Sequence, residues 1–146
     1  MTAIAVTAAN VSANDRERGA IIKWYQAGAT ITLGQAVYTD SNFLVYPAKA
    51  DSASHATALG VAALSDNFYG ETTVPTGGQV GVVIYGPVWG FASMIGEENG
   101  WVSGATAGGL DDTAPTGGAW QFQVGHAVDD QTFFVDPNPQ SAASHA

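Results

Sequence analysis

Side chains that could carry chemistry are scarce: 13 Asp and Glu, 4 Lys and Arg, 3 His and no Cys in 146 residues. Without cysteine there is no disulfide, thiolate metal site or thiol nucleophile. His55, His126 and His145 are too scattered for a metal-binding pattern, and no calcium-loop spacing of aspartates occurs. The paired carboxylates Glu97-Glu98, Asp111-Asp112 and Asp129-Asp130 are adjacent residues, and neighbours on a strand point to opposite faces. No pair by itself presents two carboxylates to one substrate. A calcium ion between loops could draw on Asp111, Asp112 or Asp129, with plain surface charge the simpler account. Gly77-Gly78 and Gly108-Gly109 lack the lysine and following helix of a phosphate loop, and no serine lies in Gly-x-Ser-x-Gly. The expectation is a chain with no catalytic residue, cofactor or metal. Trp24, Tyr25, Trp89, Phe91 and Trp101 could stack on sugars or bases, although the same residues suit the inward face of strands.

The elements that hold these residues are strands. Ile31 and Leu33 alternate with Thr30 and Thr32; Val80, Val82 and Ile84 share a face; and in Ala119 to Val128, Trp120, Phe122, Val124 and Val128 oppose Gln121, Gln123 and Ala127. Further apolar runs fall at Ala20 to Tyr25, Gln35 to Tyr38, Phe43 to Tyr46, Ala58 to Leu64, Trp89 to Ala92 and Phe133 to Val135. Turn clusters separate them, among them Thr39 to Asn42, Ser65 to Asn67, Pro75 to Gly78, Glu98 to Gly100 and Pro115 to Gly118. One helical turn near Asp51 to Thr57 is the exception. The pattern predicts an all-β fold: a compact β-sandwich or partly closed β-barrel of about ten short strands, with an extended N-terminal arm. Residues 1–19 are the arm, 20–137 the β-rich domain, and 138–146 a polar, flexible C-terminal tail that Pro137 and Pro139 keep out of a sheet. A faint echo links Gly34-Gln35-Ala36-Val37 with Leu59-Gly60-Val61-Ala62, and Gly100-Trp101-Val102 with Val124-Gly125-His126-Ala127. Duplication and the ordinary reuse of Gly and Pro turns both account for it.

A net charge of -9 repels phosphate backbones and anionic lipid heads, so neither nucleic acid nor membrane is an expected partner. No stretch approaches the ~18 apolar residues of a membrane helix, and the first residues lack the basic and apolar regions of an export signal.

Three groups of residues carry a family likeness: Ala27-Gly28-Ala29-Thr30-Ile31-Thr32-Leu33-Gly34-Gln35-Ala36-Val37-Tyr38, then Tyr46-Pro47-Ala48, then Ala58-Leu59-Gly60-Val61-Ala62. Together with Val80 to Val88 and Val124 to Ala127 they resemble the capsid decoration, or cement, proteins of tailed bacteriophages over roughly residues 27–137. The resemblance implies a non-enzymatic, often trimeric β protein on the outer surface of a phage head, with the major capsid protein and its own copies as partners. By the same analogy the arm lies along capsid subunits; within that reading Ile4 and Val6, apolar in a polar segment, and Arg16 and Arg18, partners for a neighbour's carboxylates, are the expected contact residues. Two alternatives stand beside it: a carbohydrate-binding or host-attachment module using Trp89, Phe91 and Trp101, and a β-rich tail or head-tail connector protein.

Overall fold

A computed structural model describes residues 3–13, 19–65, 71–92, 94, 99–116, 120–137 and 143–144. In chain order the first half forms β1 (Ala5–Val6), a 3-10 turn (Ala8–Asn10), β2 (Ile21–Ala27), β3 (Ile31–Thr32), β4 (Ala36–Thr39), β5 (Leu44–Pro47), helix α1 (Ala53–Ala56) and β6 (Gly60–Ser65). The second half adds β7 (Thr73–Val74), β8 (Gln79–Trp89), β9 (Phe91–Ala92), β10 (Asn99–Val102), β11 (Leu110–Asp111), β12 (Trp120–Gln121), β13 (Gln123–Ala127), β14 (Thr132–Val135) and β15 (Ala143–Ser144). The fold is all-β, and α1 is the expected helical turn, capped where the Ser52 hydroxyl accepts from the His55 amide.

Five strands close into a barrel in the order β2, β5, β4, β6, β8 and back to β2. Each joint is antiparallel except β2 with β5, which run parallel and pair only at Gln26 with Leu44 and Ala27 with Val45. Ala27, Val37, Val45, Ala62, Val80 and Val82 fill the barrel, and Ile31 and Val74, paired across β3 and β7, pack on the same cluster. The alternative of a barrel over an open sandwich is thus settled by β6 returning to β8.

A second core lies outside the barrel wall. Ala36, Val61, Ala63 and Val83 point away from the interior and meet Val88, Val102, Leu110, Phe122, Val124, Phe133 and Val135. These come from a second antiparallel sheet in which the end of β8 pairs with β14, then β13, β10 and β11. Strands β6 and β8 are therefore covered on both faces over much of their length, which is why they read as near-continuous apolar runs. Strand β8 passes from one sheet to the other at Gly86. There φ is +116°, and a Cβ would stand 2.6 Å from the Ala20 Cα. Only glycine combines that dihedral with so close a backbone approach.

Three expectations change. Val128 does not share the inward face of β13; it is 55% exposed, while Ala127 is buried. The cause is a β-bulge. Gly100 pairs with Gly125 but Trp101 with Gln123, so Val124 is an extra residue, and the alternation changes phase after it. Asn99 and Gly100 open β10 rather than a turn, because the Phe133 ring lies over Gly100 and fills the space a side chain would take. Finally, Ala143 and Ser144 of the expected tail pair antiparallel with Gln121 and Trp120. Pro137 and Pro139 precede the pairing residues and leave their amides free to bond.

Candidate functional site

The described part of the N-terminal segment, residues 3–13, runs as a short strand and a 3-10 turn along the chain's own body. Main-chain bonds hold it there: the Ile4 amide donates to the Leu110 carbonyl at 2.8 Å and the Thr7 amide to the Gly90 carbonyl at 2.9 Å. The Trp89 amide donates to the Ser12 carbonyl at 2.9 Å, and Val6 pairs with Phe91 between β1 and β9. Val11 is buried and Ile4 packs against the second core, so two apolar side chains fix the segment at either end. Between them Ala5, Val6, Thr7, Ala9 and Asn10 are exposed. Val6 is 39% exposed, with one methyl over Gly34. Arg16 and Arg18 lie outside the described residues.

A groove flanks the segment on each side. One, of about 260 Å³, is lined by Ala8, Val11, Trp24, Leu33, Leu64 and Glu71 among others. The second, of about 240 Å³, is bordered by Ile4, Val6, Leu33, Gly34, Phe91 and Leu110. Ala8 and Leu33 belong to both, so the segment forms a ridge between two mostly apolar furrows.

The titratable groups are placed elsewhere. His55 Nδ1 lies 2.7 Å from Asp51 Oδ1 on the exposed turn of α1, and the His55 ring packs on Tyr38. His126 stacks on Phe134, and His145 falls outside the described residues. Asp129 accepts from the amides of Gln131 and Thr132, which holds its carboxyl below the usual carboxylate range and closes the turn before β14. Asp111 is only 5% exposed at the edge strand β11, where burial raises its pKa, the Ser103 hydroxyl pulls it back and Asp112 adds to the rise. Its Oδ2 has no hydrogen-bond partner among the described residues. Glu97 and Glu98 are outside the described residues. Among the described residues no three His, Asp or Glu come together as metal ligands.

The aromatic residues divide. Phe91 is buried against Phe133 and is not open to a ligand, whereas Trp89 and Trp101 are half-buried. Trp24 is 48% exposed. A residue that sequence reasoning placed in a strand behaves differently: Phe43 is 73% exposed and has a φ of +61°. Asp40 shapes that turn, its Oδ1 accepting from the amides of Asn42 and Leu44. Such an Asx turn is legible in Asp40-Ser41-Asn42, but the left-handed phenylalanine after it is not, since glycine or asparagine is the ordinary occupant.

Comparison of the chain with protein-family models and with curated proteins finds no match.

Proposed function

We propose that this chain is a structural protein of a bacteriophage virion that binds the outer surface of the head as a homotrimer and stabilises it by bridging neighbouring major capsid protein subunits. Beside the resemblance over residues 27–137, one observation carries the reading: a two-core β body bears an N-terminal segment whose extended part, Ala5 to Thr7, is exposed and flanked by apolar furrows. A neighbouring chain can add to such a segment through main-chain hydrogen bonds without unfolding the body. Each contact is weak alone. Several arms on one oligomer multiply it, because the second attachment is intramolecular once the first is made. The charge of -9 suits a part facing solvent rather than packaged DNA.

Purified heads lacking the protein are the test. Adding the full chain should raise their resistance to heat and low ionic strength, with copies bound in the hundreds per head. Removal of residues 1–18 should leave the circular dichroism of the body in place and weaken attachment to heads. Heads equally robust with and without the chain would refute the stabilising role, and a dozen or fewer copies per virion would move the protein to the tail.

A further inference from the structure

Strand β2 has an edge without a strand partner among the described residues. The Ala27 amide donates to the Gly78 carbonyl on the β8 side at 2.8 Å, and the Gly28 amide to the Val45 carbonyl on the β5 side at 2.9 Å. Main-chain groups alternate along a strand, so those of Ile22 and Trp24 point to the β5 side. Strand β5 begins only at Leu44, opposite Gln26. Ile22 and Trp24 thus have no strand partner there among the described residues.

The side chains around this slit are those of an interface. Ile21 is 49% and Trp24 48% exposed, and Trp24 borders the larger furrow. Phe43, one residue before the paired Leu44, stands at the end of the slit, 73% exposed in a backbone conformation that disfavours it. A strained, solvent-facing aromatic ring contributes nothing to this monomer's core, and it has the form of an anchor for a partner. Lys23 sits in the middle of the edge, exposed and without an ion pair among the described residues.

We infer that the β2 edge, with Phe43 as its anchor, accepts an extended segment of another protein that carries a carboxylate opposite Lys23. Charge decides between occupants. Two copies of β2 joined antiparallel through Ile22 and Trp24 would set Lys23 against Lys23, and like charges directly opposite are unfavourable. A lysine in an exposed edge is a known guard against self-pairing. An acidic strand meets the same lysine with attraction, gains two sets of main-chain bonds and lays an apolar side chain beside Trp24. None of this depends on the shell reading: the bonds come from the Ile22 and Trp24 main chain rather than from residues 1–18, and only the furrow beside Trp24 is shared with that segment.

The probe is an mRNA-displayed library of random ten-residue peptides panned on the full chain. Enriched peptides should alternate apolar and polar residues, hold Asp or Glu at one position, and slow hydrogen exchange at the Ile22 and Trp24 amides. Phe43→Gly should weaken them by about tenfold, a hot-spot loss, while leaving the protein no less stable than the parent. Panning Lys23→Glu should recover Lys or Arg in place of the carboxylate. Absence of enrichment overturns the inference, as does binding that leaves those two amides exchanging freely. Protection that rises with protein concentration alone would instead identify a second copy as the occupant and overturn it too.

Discussion

Replacing Gly86 by alanine tests the claim that one strand serves both cores. The residue has φ +116°, a region that costs an L side chain about 1–3 kcal/mol. The new Cβ would also stand 2.6 Å from the Ala20 Cα and 3.2 Å from the Gly19 carbonyl oxygen, both backbone atoms that no rotamer change can move. Overpacking of that kind adds about 1–3 kcal/mol. The sum, about 2–6 kcal/mol, is a large part of the 5–15 kcal/mol that stabilises an ordinary domain and corresponds to roughly 7–20 °C in Tm at this length. Gly77→Ala is the control. Gly77 also has a positive φ, +90°, but no atom of the described residues lies within 4 Å of its would-be Cβ, so only the dihedral strain remains. Urea unfolding followed by tryptophan fluorescence and by circular dichroism should give one coincident transition for each protein, with Gly86→Ala the weaker by about 1–3 kcal/mol, the overpacking share. Equal losses for the two variants would refute the close-approach argument. Separate transitions for the two probes would refute the sharing of β8 between the cores.

Two further outcomes are expected. Asp111 has its folded pKa raised by burial, so the fold disfavours the ionised form: the penalty is absent below the ordinary carboxylate value, grows as pH rises through the window up to the raised value, and is complete above it. Asp111→Asn should therefore gain stability relative to the parent on going from pH 3 to pH 7 in thermal melts, by about 1.4 kcal/mol for each tenfold weakening of the acid on folding; a difference that stays flat with pH would count against the buried charge. Phe133→Ala removes a fully buried ring that packs on Phe91 and covers Gly100, and should cost about 3–5 kcal/mol in chemical denaturation. A loss under ~1 kcal/mol would mean that the second core collapses around the gap.

The barrel strands were legible because their patterns are local. Ala58 to Leu64 and Val80 to Val88 announce β6 and β8 through unbroken apolar runs, which follow from burial on two faces. The echoed segments also have a structural meaning: Ala36 and Val37 pair with Val61 and Gly60, and Gly100 with Gly125. What escaped the sequence is set by distant neighbours. Strands β1, β7 and β15 are two residues each and exist only because a partner strand, more than twenty residues away along the chain, offers hydrogen-bonding groups. The phase change at Val124 depends on its register with β10, and no residue type marks it. At the site, Ile4 stands out as apolar in a polar stretch, and it does reach the second core. That the same stretch rests on Gly90 and Leu110 could not be read, since main-chain bonds leave no side-chain signature.

The ridge formed by residues 3–13 is built against the order of synthesis. Its partners, Trp89, Gly90, Phe91 and Leu110, leave the ribosome roughly 80 to 100 residues after it, or several seconds at ~5–20 residues per second. A contact spanning so much chain closes slowly. Residues 3–13 are thus made well before the partners that seat them, and throughout that interval their amides stand ready for whatever surface arrives first.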